Sequence, residues 1–93
     1  MNENDLNQER KLISGFIRKR REDLKITQEQ LAEKTGLGIA TIKRFEAGKF
    51  WLRLNTFLVI CYALDMFFFV AEKDSNEDIA VLMRDRWGKI HNN

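Results

Sequence analysis

Apolar residues recur at helical spacing along most of this chain. Leu12, Ile13, Phe16 and Ile17, continued by Leu24, predict a first helix over roughly Gln8–Leu24. Thr27 then stands where a helix start needs a side-chain acceptor, and Gln30, three residues on, can reach back to the Thr27 amide. Leu31 and Ala32 carry the apolar face of the second helix. Gly36 sits where a helix end often turns left-handed, and Leu37 follows as an apolar plug. A third helix is predicted over Ile39–Glu46, closed by Gly48, with Ile42 and Phe45 on its inward face. After the short, unusually aromatic link Lys49-Phe50-Trp51-Leu52-Arg53, a fourth helix is expected over Leu54–Leu64. Its predicted face is Leu54, Phe57, Leu58, Cys61 and Leu64, with Ile60 beside them, closing a four-helix core over Leu31, Leu37, Ile42 and Phe45.

Beyond Asp65 the pattern changes. Met66-Phe67-Phe68-Phe69-Val70-Ala71 is apolar at every position, which predicts a strand buried on both faces; the alternative is a continuation of the fourth helix. A membrane span over Phe57–Ala71 is rejected, because the run is too short and Asp65 interrupts it. No other stretch looks like a strand, and a lone strand leaves its backbone groups unpaired. The simplest partner is the same strand of a second copy across a two-fold axis, so Met66, Phe67, Phe68, Phe69 and Val70 are expected to form a homodimer interface. Ser75 and Asp78 have capping-box spacing and open a last predicted helix, to about Lys89. Its apolar face is Ile79, Leu82, Met83, Trp87 and Ile90. That face is expected to pack against the dimer ribbon; the alternative is a site awaiting a partner. The expected organisation is a flexible arm over residues 1–8, a helical domain over 9–65, and a dimerising strand with a final helix over 66–93. The fold class is mainly α.

Composition narrows the reading. Ninety-three residues make one domain, and 44% hydrophobic content is enough for a core. The polar, acidic start MNENDLNQERK shows no secretory pattern. One cysteine, Cys61, and one histidine, His91, give no internal disulfide and no zinc spacing, which points to a reducing cytoplasm. The net charge of +2 hides an asymmetry: residues 9–53 hold twelve Lys/Arg against six Asp/Glu. A polyanion partner is the first reading of such a gradient, and a solvated helix face is the plain alternative.

The stretch Thr27–Gly48, TQEQLAEKTGLGIATIKRFEAG, has the form of a helix-turn-helix. With the lead-in IRKRREDLKITQEQLAEKTGL and the exit TIKRFEAGK...LRLNTFLVICYALDM, it closely resembles the phage-repressor-like (Xre/Cro) family of DNA-binding regulators over roughly residues 12–66. The resemblance implies a four-helix body whose third helix enters the major groove. Lys25 departs from the family pattern, which usually has glycine there. Some antitoxins of this family are similar in adding a dimerising strand after the helical body.

By the resemblance, bases are read from the positions held by Ile39, Ala40 and Arg44. Of these, Arg44 can bind guanine O6 and N7 with two hydrogen bonds, whereas Ile39 and Ala40 can touch only thymine methyls or the groove wall, or act as spacers. Thr41 can bond a phosphate or a base edge. Gln28 occupies the family position that holds the DNA backbone and braces the third helix. Arg18, Arg20, Lys43, Lys49 and Arg53 are further phosphate candidates, with the backbone amides near Ala47 and Gly48; surface solubility is the alternative for one or two of the cations. Arg21 and Glu46 match a buried structural ion pair. No Ser/His/Asp set, glycine-rich phosphate loop or carboxylate–histidine cluster suggests an enzyme, and Cys61 reads as a packed core residue. The expectation is a dimeric, cytoplasmic, sequence-specific regulator of double-stranded DNA, most simply a repressor, needing no cofactor, metal or small-molecule ligand. The alternative is an antitoxin whose C-terminal region holds a toxin protein and which represses its own operon.

Overall fold

The computed structural model describes residues 1–70. Four helices follow in order: α1 Glu3–Asp23, α2 Gln28–Thr35, α3 Ile39–Glu46 and α4 Leu54–Ala63. α2 packs on both α3 and α4, and α1 packs on α3. The last predicted helix, with Ile79, Leu82, Met83, Trp87 and Ile90, lies outside the described residues.

α1 starts at Glu3 rather than Gln8, so most of the expected arm is helix. The cause is a capping box. The Asn2 side chain accepts from the Asp5 amide at 2.9 Å, and the Asp5 carboxylate accepts from the Asn2 amide at 3.2 Å. Glu3 and Asp5 also place negative charge at the positive end of the helix dipole.

α1 ends at Leu24, and Lys25 follows with φ +60°. The glycine usual at this family position would adopt that left-handed conformation without a Cβ penalty. Replacing Lys25 with Gly is therefore expected to stabilise the domain by about 0.5–1 kcal/mol, relief of strain outweighing the extra freedom of the unfolded chain. Urea unfolding measures this directly, and an unchanged or lower midpoint would count against strain at Lys25.

The two short helices of the motif form as their sequences predict. Thr27 Oγ1 accepts from the Gln30 amide at 3.0 Å, and Gln30 Oε1 accepts from the Thr27 amide at 2.8 Å. Gly36 has φ +72°, and its amide bonds to the Ala32 carbonyl, closing α2. Gly48 has φ +71° just past α3. A Cβ there would also lie 3.1 Å from Ser14 Oγ of α1, so the turn after α3 presses against the first helix. Across the same contact Arg10 Nε donates to the Gly48 carbonyl at 2.7 Å.

The core gathers Ile17, Leu31, Ala32, Ile42, Phe45, Ile60, Cys61 and Leu64, with Ile13, Leu37 and Phe57 packed at its edge. Two predicted faces differ from the observed ones. On α1, Ile13 and Ile17 turn inward, but Leu12 and Phe16 are each 67% exposed. On α4, Ile60, Cys61 and Leu64 are buried while Leu54 and Leu58 face out, as do Val59 and Tyr62. The sequence LNTFLVICYA is apolar on nearly every side, so spacing alone cannot say which side the core takes.

Residues 66–70 form no strand. Strand structure needs a ladder, and the expected partner is a second copy, so a single chain leaves this run without one. The Met66 amide instead bonds to the Cys61 carbonyl at 2.9 Å, and the Met66 side chain packs on the core. Phe68 stands edge-on to Phe57, which stands edge-on to Phe45, with ring centroids 5.6 and 6.1 Å apart. Phe67, Phe68, Phe69 and Val70 remain exposed rather than buried on both faces. Among the described residues, no helix is long and apolar enough to cross a membrane.

Candidate nucleic-acid interface

α3 divides into two sides. Ile42, Phe45 and Glu46 face inward, and Ala40, Lys43 and Arg44 face solvent. Glycine turns at both flanks let this helix stay short, while α2 and α1 hold it from behind. The result is a basic ridge standing clear of the body.

A buried charge network fixes the ridge. Arg21 Nε and Nη2 donate to the two Glu46 carboxylate oxygens, each at 2.7 Å, and Arg21 Nη1 donates to the Ile26 carbonyl at 2.8 Å. Both residues are nearly closed to water, at 8% and 7% exposure. The Glu46 hydrogen bonds raise the Arg21 pKa above the ordinary arginine value, outweighing the opposing effect of burial. Gln28 Nε2 donates to Glu46 Oε1 at 3.0 Å, so the first residue of α2 is tied to the last residue of α3. One Glu46 carboxylate thus links α1, α2 and α3. Among the described residues, no buried side-chain nitrogen or oxygen lacks a partner.

The other expected contact residues fall into groups. Lys43, Lys49 and Arg53 are exposed on α3 and on the link that follows it. Thr41 is half-buried. Ile39 is also half-buried and packs against the core, a placement that fits a spacer as readily as a base contact. Arg18 is exposed and pairs with Glu22 at 3.6 Å, one turn along α1.

Arg20 is engaged elsewhere. Its Nε donates to the Leu64 carbonyl at 3.0 Å, capping the C-terminus of α4. It lines a cleft with Asp23, Asp65 and Phe67, to which neither α2 nor α3 contributes. The backbone amides of Ala47 and Gly48, expected as phosphate donors, already bond to the carbonyls of Lys43 and Phe45 at 3.0 and 2.9 Å.

Arg44 is held differently from the arginines of α1. Its Cζ lies 4.8 Å from the centroid of the Phe50 ring. Among the described residues, no carboxylate or carbonyl takes its N–H groups. Sequence spacing gave no sign of this contact, nor of the Arg10–Gly48 and Arg20–Leu64 bonds. The two bonds of α1 reach 38 and 44 residues along the chain, and the Arg44 contact leaves its helix for the link, so periodicity is silent on all of them.

The site offers hydrogen-bond donors and positive charge. Cys61 is 4% exposed, and burial pushes its thiol pKa up to about 11, so it stays protonated at neutral pH. Among the described residues, no group of three or more His, Cys, Asp or Glu side chains can hold a metal ion.

Comparison with known proteins agrees with this geometry. Residues 17–65, just over half of the chain, match a family model described as helix-turn-helix. No curated protein and no solved structure matches. Short helices, glycine turns and an outward basic ridge thus coincide with the matched segment, and the chain belongs to the Xre/Cro-like helix-turn-helix family of DNA-binding regulators.

Proposed function

We propose that this protein is a cytoplasmic, sequence-specific transcriptional repressor that binds double-stranded DNA as a homodimer. The observation that carries the reading is the outward side of α3, where Ala40, Lys43 and Arg44 are exposed while Glu46 locks the helix from behind. In this reading Arg44 reads a guanine, Ala40, Thr41 and Ile39 line the groove contact, and Lys43, Lys49, Arg53 and Gln28 hold phosphates. Arg18 adds charge at the margin. Arg20 acts on the fold rather than on DNA.

Dimerisation is supported by exposed apolar surface around residues 66–70. Leu12 and Phe16 of α1 line a groove with Phe68, and Phe69 and Val70 continue the exposed apolar run. Such a contiguous patch is unusual on a monomer. A second copy, pairing through residues 66–70, would cover it and supply the missing ladder. The antitoxin alternative rests on residues 72–93, which lie outside the described residues, and nothing among residues 1–70 favours it.

Selection of binding sites from a randomised duplex pool by the purified full chain tests the function. The expected product is a pseudo-palindrome whose half-sites are centred roughly 10–10.5 base pairs apart. Affinity should fall steeply with salt, the log–log slope reaching about −0.9 for each phosphate neutralised. Sedimentation should give a dimer that Phe68→Glu converts to monomer. A pool that enriches no motif defeats the DNA reading; a monomeric parent defeats the dimer.

A further inference from the structure

We propose that Phe50 is a positioning residue for base readout: its ring holds the Arg44 guanidinium in the orientation that meets a guanine edge. The inference rests on the base-reading role given to Arg44 above and assigns to the link after α3 a part in specificity.

An arginine side chain has many rotamers, and fixing it on binding costs conformational freedom if nothing fixes it beforehand. Arg44 is solvent-exposed, and its guanidinium lies over the Phe50 ring, with Cζ 4.8 Å from the centroid. Phe50 is itself half-buried and packs against the hydrophobic core, so the ring is anchored. A guanidinium resting on a ring is held by its charge and its flat face, whereas its bonds to guanine O6 and N7 run along N–H groups at its rim. One contact therefore does not use up the other.

Arg10, Arg20 and Arg21 each give N–H groups to protein oxygens, at Gly48, Leu64 and Glu46 respectively. Arg44 keeps its donors open and is steadied by an aromatic ring instead. Phe50 also explains why a link expected to face water carries so large an apolar side chain.

The experiment uses the full chain and the duplex recovered by selection, with 7-deazaguanine replacing each half-site guanine in turn to remove its N7 acceptor. For the parent, one position should show a penalty of about tenfold in affinity. Arg44→Ala should abolish the penalty at that position, identifying it as the contacted base. Phe50→Leu, which keeps apolar packing and removes the ring, should shrink the same penalty to about threefold or less. Its affinity for random duplex should stay within about twofold of the parent, because phosphate contacts are untouched. Phe50→Tyr restores the ring face and should restore the full penalty.

A Phe50→Leu protein that keeps the tenfold penalty, or exceeds it, overturns the positioning role while leaving Arg44 as the reader. If Arg44→Ala leaves the parent's penalties unchanged at every guanine, the base-reading role itself is wrong, and Phe50 falls with it. Should Phe50→Leu lose its helical circular dichroism, Phe50→Met carries the same comparison.

Discussion

Replacing Glu46 with Ala is expected to unfold a large share of the protein under conditions the parent tolerates. The carboxylate accepts two hydrogen bonds from Arg21 at 2.7 Å and one from Gln28 at 3.0 Å, with almost no access to water. Its removal strands the Arg21 charge, leaving the Ile26 carbonyl as its hydrogen-bond acceptor and the Glu22 charge nearby. Breaking one side of such a buried pair costs about 3–5 kcal/mol. A domain of this kind has roughly 5–15 kcal/mol in all. Removing both partners together, as Arg21→Met with Glu46→Leu, should recover most of the loss, because no charge is then left unpaired. Urea unfolding of Arg21→Met, Glu46→Leu and the double variant gives the coupling. A Glu46→Ala loss of under about 1 kcal/mol, the range of an exposed pair, would show that water reaches the site. The pair is not a pH switch on the arginine side. A raised pKa gives stability that is complete below the unfolded value and lost only as pH climbs through the folded one, and both lie far above neutral pH.

Arg44→Ala is expected to leave the fold intact and remove much of the specific DNA binding. The side chain is exposed, so the folding cost is limited to its contact with Phe50, about 0.5–1 kcal/mol. A lost bidentate guanine contact costs about 1–3 kcal/mol per half-site. In a dimer the loss applies twice, so specific affinity should drop at least about thirtyfold while binding to random duplex changes little. Lys43→Ala is the contrast. It should weaken all sequences alike and lower the salt slope by about one. Competition titrations with selected and scrambled duplexes separate the two patterns. Equal losses for both variants on both duplexes would mean that Arg44 contacts phosphate rather than a base.

The motif was legible in the sequence because its signals are local. Thr27 and Gln30 lie three residues apart, and Gly36 and Gly48 stand where the chain must turn left-handed, so each could be read without knowing what packs against it. The Arg21–Glu46 pair spans a gap that spacing cannot bridge, and it came only through the family resemblance. The early start of α1 could have been read, since Asn2 and Asp5 have capping-box spacing. What escaped was set by packing between distant parts. Leu12 and Phe16 share a stripe with Ile13 and Ile17, but the small domain covers only half of that stripe. α4 is so uniformly apolar that its inward side was decided by its neighbours. The strand expected at 66–70 needs hydrogen-bond partners that one chain does not contain. Ile39 and Arg20, both read as contact residues, have their side chains partly taken up by the core and by the end of α4.

The seam where Arg10 and Ser14 meet Gly48 lies partly upstream of the matched segment, which begins at residue 17. The angle at which α3 leaves the body therefore depends on side chains that the motif itself does not contain. Transplanting residues 17–65 alone into a foreign host would carry the reading head without its hinge pin, and two proteins with identical motifs but different leading helices could approach the same operator at different tilts.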